Sequence, residues 1–316
     1  MPQMDHVSSL RRRYQAMPNL ELKEAIIAEC ADFISASLDK KEIKDRISSS
    51  IDSEFWQQFS EILIHYYLKR YGFDFSHPPS GPDFKIKYDD TTIHVEVITP
   101  KPEGIPSYWI NHVPGTAVSF PHEEILLRWT AAIKEKAEKL LGKRDGSTKG
   151  YLEKGIVGPD DVYVIAVNAR LLRGFSGMWG QINGISQFPF AAEAVFCLGP
   201  MQVKIDRNSL KIVDSDYQYR AEIIKPNGIG VPADTFLDQH FSQISAIWAV
   251  DLDESILVGR PQPTAIVHNP SARNPLPIKV LPSQVEYVAE AFEDAYKLMS
   301  SVGICAADSG FETSEF

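Results

Sequence analysis

Cysteine is scarce in this 316-residue chain: Cys30, Cys197 and Cys305 are widely spaced, odd in number and outside any CxxC pattern. That excludes a disulfide framework and a zinc knuckle, and points to reduced, mostly buried thiols. Long apolar runs are also missing. The longest, such as "VYVIAV" at 162–167, is far too short to cross a bilayer, and "MPQMDHVSSLRRRYQ" at the start has no signal-peptide apolar stretch. The expectation is a cytoplasmic protein with no membrane partner. Positive charge is in deficit, with 32 Lys and Arg against 42 Asp and Glu, a formal net charge of -10. A protein that coats nucleic acid over its whole surface is thereby disfavoured, though a local basic track is not. There is no internal repeat, no low-complexity segment, and no HExxH, HxH or GxxxxGK[ST] pattern.

What is present is the composition of an ordinary globular protein, 44% apolar and 23% charged. At this length, one enlarged α/β domain is as consistent as two smaller ones. "NLELKEAIIAECADFISASL" has helical apolar spacing with Asn19 as N-cap, and "KKEIKDRI" predicts a second short helix. "DSEFWQQFSEILIHYYLKRYG" is a stronger helix, capped by Asp52 or Ser53 and stopped at Gly72. "PHEEILLRWTAAIKEKAEKLLGK" predicts a long amphipathic helix whose first-turn acids and last-turn bases suit the helix dipole. "DVYVIAVNA" reads as a buried strand, and "AEAVFCLG", "MQVKID", "LKIVD", "YRAEIIK" and "TAIVHNP" as further strands. "SQVEYVAEAFEDAYKLMSS" predicts a closing helix.

The chemistry centres on "GPDFKIKYDDTTIHVEVITPKP" at 81–102, two extended segments around an Asp-Asp turn. Alternation along a strand puts His94, Glu96 and Ile98 on one face and Ile93, Val95 and Val97 on the other, core face. Glu96 can then meet Asp83 across the hairpin. Paired carboxylates repel unless a divalent cation bridges them, and such a cation can polarise a phosphodiester and acidify a bound water. The plain alternative is that Asp83 caps a turn and Glu96 is a solvated strand residue.

"PD" at Pro82 and Asp83, followed across the hairpin by "VEV" with Glu96, resembles the PD-(D/E)XK nuclease superfamily. The resemblance covers the middle third to half of the chain and implies a restriction-endonuclease-like core of helix, hairpin and strand, helix, strand. It further implies an accessory glutamate ahead of the glycine that ends the first helix, a place that Glu61 occupies. The lysine expected two residues after the second acid is replaced by Ile98. Some members of the superfamily supply it from the next helix, where Arg128 and Lys136 lie about 80° apart around the axis. Lys134 and Lys101 are lesser alternatives, and Lys85 and Lys87 rank last. With "YVIAVNA", "QISAIW" and "VHNPSARNPLP", the whole chain also resembles a group of bacterial proteins built on this variant signature.

The resulting expectation is an α/β chain with an N-terminal helical appendage at 1–50, a nuclease-like core at 51–170, a β-rich continuation with a closing helix at 171–300, and a flexible acidic tail at 301–316. The function implied is a metal-dependent DNA hydrolase. Asp83 and Glu96 would hold Mg2+ or Mn2+, with Glu61 assisting, Lys136 replacing the missing lysine and Arg128 holding a phosphate. Basic residues between Arg128 and Lys154 offer a track for DNA. A homodimer or protein partner is also envisaged. The competing expectation is a catalytically inactive nuclease-fold binding or scaffold protein. His240 and His268 are expected to be structural, and Phe175 and Trp179, in a Gly-rich loop, to stack on bases or pack.

Overall fold

The computed structural model describes residues 6–304 except 39, 112, 114, 175–181, 293 and 294. Phe175, Trp179, Cys305 and the tail beyond residue 304 lie outside the described residues.

The chain begins with α1 (His6–Arg13), α2 (Leu20–Ala36) and α3 (Lys40–Ile47), followed by the long α4 (Asp52–Arg70). Asn19 caps α2 as its pattern predicts, accepting a hydrogen bond from the Leu22 amide. In α4 the N-cap is Ile51, without a side-chain cap, so neither Asp52 nor Ser53 holds that position. The end is instead tied by Ser49, whose hydroxyl accepts from the Ile51 amide and donates to Glu54. Gly72 ends the helix in the left-handed region at φ 75°, where a side chain would strain the backbone.

After α4 come β1 (Asp74–Ser76), β2 (Phe84–Tyr88) and β3 (Thr91–Ile98), then α5 (Ser107–Ile110), α6 (His122–Leu141) and β4 (Val162–Asn168). The second half holds α7 (Phe190–Val195), β5 (Leu198–Ile205), β6 (Ile212–Tyr219), β7 (Glu222–Ile224), β8 (Gly230–Pro232), β9 (Ala246–Val250), β10 (Thr264–His268), β11 (Val285–Phe292) and β12 (Ala295–Val302).

Eight strands form one mixed sheet in the order β1-β2-β3-β4-β9-β10-β11-β12. β1, β2 and β3 are antiparallel neighbours, while β4 runs parallel to both β3 and β9. α6 links the parallel pair β3 and β4, as such a pair requires a crossover. Both sheet faces are covered, which is why β4, β9 and β10 are buried along their full length. α1, α2 and α4 pack with Ile93, Val95 and Val97 on one face; α6 and α7 pack with Ile98, Ile165 and Val167 on the other. The N-terminal segment expected as an appendage thus contributes Leu10, Ile26, Cys30 and Phe33 to the same core as α4. Among the described residues no helix is long and apolar enough to cross a membrane.

Two elements differ from the sequence reading. "AEAVFCLG" is helix and turn before it becomes strand, because Pro189 opens a short helix carried by Ala191, Ala192 and Ala194, strong helix formers packed in the core. The expected closing helix is the hairpin β11–β12. Val285, Val288, Ala289, Phe292 and Tyr296 fall at helical spacing, whereas Tyr287, Ala289, Tyr296 and Leu298, alternating within each strand, are the packed face that pairing of β11 with β10 selects.

Candidate active site

Three elements converge around the β2–β3 hairpin. The turn at Asp89 and Asp90 is tight, with Asp89 left-handed at φ 48°, a conformation aspartate tolerates. Phe84 pairs with Val95, so Asp83, one residue earlier, stands across from Glu96. Gly81 feeds Asp83 into this position at φ 104°; a Cβ there would meet the Ile156 side chain at 2.4 Å, so only glycine fits without displacement. The Asp83 carboxylate accepts a 2.6 Å hydrogen bond from the Val97 amide, which fixes it against β3.

Glu96 is only 1% exposed, which overturns the solvated-strand alternative. It faces α6, and one carboxylate oxygen accepts from Lys136 Nζ at 2.7 Å and Lys139 Nζ at 2.8 Å. The other oxygen, Oε2, is buried with no hydrogen-bond partner. Lys136 is itself buried, because α6 lays its apolar face on the sheet and Lys136 lies within that face. Glu61 approaches from α4, where Gln58 donates to it at 2.8 Å and Gln57 at 3.4 Å. Gln57 also donates to the Val97 carbonyl and accepts from the Thr99 amide, clamping the end of β3 to α4.

Of the residues singled out in the sequence, Glu61, Asp83, Glu96 and Lys136 are brought into one neighbourhood. Arg128 is not: it stands two helical turns, about 12 Å, before Lys136 and lies 3.9 Å from Glu103. Lys134 donates to the Pro232 carbonyl instead of reaching the acids. Lys101 lines an open groove of about 450 Å³ beside Gln57, together with Arg46, Ser53 and Glu54. Several cations of the basic track are engaged within the chain, Arg144 with Asp238 and Lys149 with Glu153.

Sequence reasoning missed Lys139, Gln57 and Gln58. Lys139 had a signal, since it follows Lys136 by three residues and shares its helix face. Gln57 and Gln58 had none, because a glutamine reads as solvated until its helix is known to be covered on both sides. The expected structural histidine His268 is buried and lies 3.1 Å from Glu286. His240 sits in an exposed turn.

Electrostatics follow from the crowding. Burial, then the charges of Glu61 and Glu96, push the Asp83 carboxyl well above its ordinary range, with Lys136 opposing. Burial also raises Glu61, against the hydrogen bonds from Gln57 and Gln58 and the charge of Lys136. Burial, with Glu96 next, pushes the nearby Tyr151 up to about 12. The charge of Glu96 raises Lys139 in spite of its partial burial.

A carboxyl whose pKa is raised by folding stabilises the fold below its ordinary pKa and loses that contribution as pH rises through the folded value. For Glu61 and Asp83 the loss therefore begins near their ordinary values of 4.5 and 3.8. In chelator, Glu61→Gln is expected to match wild type in urea midpoint near pH 4 and to exceed it increasingly towards neutrality. A difference independent of pH would contradict this origin.

The donors suit a hard divalent cation, being carboxylate oxygens with an unpartnered, buried Glu96 Oε2 among them. Glu61, Asp83 and Glu96 do not gather three ligand atoms within 4.8 Å of one another; among the described residues Glu29, Asp32 and His65 do. Comparisons with protein-family profiles, with curated proteins and with solved structures find no match.

Proposed function

We propose that the protein is a metal-dependent phosphodiester hydrolase of the PD-(D/E)XK type, acting on DNA, with its lysine supplied by α6. The observation that carries this reading is the 2.7 Å contact between Lys136 Nζ and Glu96, on a carboxylate directly across the hairpin from Asp83. It supports the idea that the lysine absent at Ile98 is replaced in space. Ile98 itself is buried in the core between sheet and α6, where a lysine would be desolvated. The order α4, β1–β3, α6, β4 is in keeping with the restriction-endonuclease-like core.

In this reading Asp83 and Glu96 would hold Mg2+ or Mn2+, the unpartnered Glu96 Oε2 being available to it. The ion, when bound, polarises a phosphoryl oxygen and acidifies a water. Lys136 and Lys139 fix the Glu96 carboxylate in place and offset charge that develops on the phosphate. Glu61, kept in place by Gln57 and Gln58, accepts the hydrogen bond of a water on the partly exposed side of the site. Lys101 and Arg46 border the groove through which a phosphate approaches, a role that Arg128, placed beside Glu103, does not fill.

The test is incubation of end-labelled single- and double-stranded DNA with the full chain in Mg2+ or Mn2+. Cleavage stopped by chelator is expected. Absence of cleavage with either ion, on either substrate, would favour a nuclease-fold scaffold. One observation favours that second reading: one oxygen of Glu96 is already shared by two lysines, a stable arrangement without metal.

A further inference from the structure

A second cluster lies where α2 meets α4, outside the hairpin site. Glu29 and Asp32 are three residues apart on α2, and His65 projects from α4 between them. His65 Nε2 is 3.3 Å from Asp32 Oδ2 and 4.0 Å from Glu29 Oε1. His65 Nδ1 is 3.0 Å from His77 Nε2, and His77 Nδ1 is 3.2 Å from the Asp83 carbonyl oxygen. The two rings stack with centroids 5.2 Å apart, enclosed by Phe33 and Phe75.

Hydrogen-bond logic runs inward from the carbonyl. A carbonyl can only accept, so His77 carries its proton on Nδ1 and, as a neutral ring, presents a lone pair at Nε2. His65 must then donate from Nδ1, leaving a lone pair at its own Nε2. That lone pair faces Asp32 and Glu29, two acceptors. Glu29 Oε1 is buried and has no hydrogen-bond partner among the described residues, while Lys69 sits on Asp32. Three lone-pair atoms therefore converge without a shared proton.

We propose that Glu29, Asp32 and His65 form a binding site for a divalent transition-metal ion of the Zn2+ class, with His77 as a positioning residue. One imidazole and two carboxylates suit such an ion, leaving a coordination position for water. Ligands about 2.0–2.1 Å from one ion stand about 3.3 Å apart in a tetrahedral arrangement. The His65–Asp32 spacing already matches, Glu29 stands within 1 Å of it from His65, and all three ligand atoms lie within 4.8 Å of one another. The donation of His65 Nδ1–H to His77 is the outer-shell hydrogen bond that orients a metal-binding histidine. The ion would staple α2 to α4, and through the paired rings it would hold the main chain at Asp83.

The experiment is calorimetric Zn2+ titration of the chelator-treated full chain, with circular dichroism on every variant. Asp83→Asn, which lacks the hairpin pair, is expected to bind one Zn2+ per chain and to gain thermal stability, and wild type is expected to keep that site. Added to Asp83→Asn, the pair Glu29→Gln/Asp32→Asn, which changes partly exposed groups and spares the core, is expected to weaken this binding at least about 100-fold. His77→Phe is expected to weaken binding about 10-fold, the size usual for an outer-shell partner. No saturable uptake by wild type, none by Asp83→Asn, or binding undiminished when Glu29→Gln/Asp32→Asn is added to Asp83→Asn would each overturn the assignment.

Discussion

Lys136→Met is expected to destabilise the protein by about 3 kcal/mol at neutral pH, measured by urea unfolding, and to abolish hydrolysis. Lys136 and Glu96 are both almost fully buried, and breaking such a pair from one side leaves an uncompensated charge in the interior, typically a loss of about 3–5 kcal/mol. The lower end is expected because Lys139 remains on the same oxygen of Glu96. Adding Glu96→Gln to Lys136→Met should restore much of the stability, since the stranded charge is then removed, but no activity. Two independent, additive losses in this double-mutant cycle would show that the residues are not energetically coupled.

The second large effect separates stability from chemistry. Asp83→Asn is expected to lower DNA cleavage by about 1000-fold or more, about 4 kcal/mol of barrier, while leaving the melting temperature unchanged or raised. Asparagine keeps the carbonyl oxygen that accepts from the Val97 amide, so the local backbone tie survives. It removes a charge that Glu61 and Glu96 oppose, so strain is relieved in the metal-free state. A site selected for stability would not place three carboxylates together. If Asp83→Asn instead lowered the melting temperature markedly with cleavage intact, Asp83 would be a structural cap and nothing more.

The sequence made some of this legible and hid the rest for identifiable reasons. The hairpin, the facing of Asp83 and Glu96, and the crossover helix follow from strand alternation and helical spacing, which are local. Lys136 was reachable because a helix after the hairpin has only a few lysines within one arc. Arg128 was misplaced because angle around the axis is not the whole geometry; two turns of rise carry it to Glu103. The closing hairpin was hidden because Val285, Val288, Ala289, Phe292 and Tyr296 fall at helical spacing, while the alternation of Tyr287 with Ala289 and of Tyr296 with Leu298 becomes decisive only once β11 pairs with β10. The cluster of Glu29, Asp32 and His65 was invisible because it spans α2 and α4, whose packing no local pattern encodes.

The hairpin and α6 together make the central claim, that Asp83 and Glu96 hold a divalent cation beside Lys136. Calorimetric titration of Mn2+ into wild type and into the Asp83→Ala/Glu96→Ala double variant, with Glu29→Gln/Asp32→Asn in both backgrounds to silence the α2–α4 cluster, tests it most directly. Saturable binding that the double variant loses is the result expected. Equal binding by both proteins, or none by either with a DNA duplex present to complete the site, would contradict it.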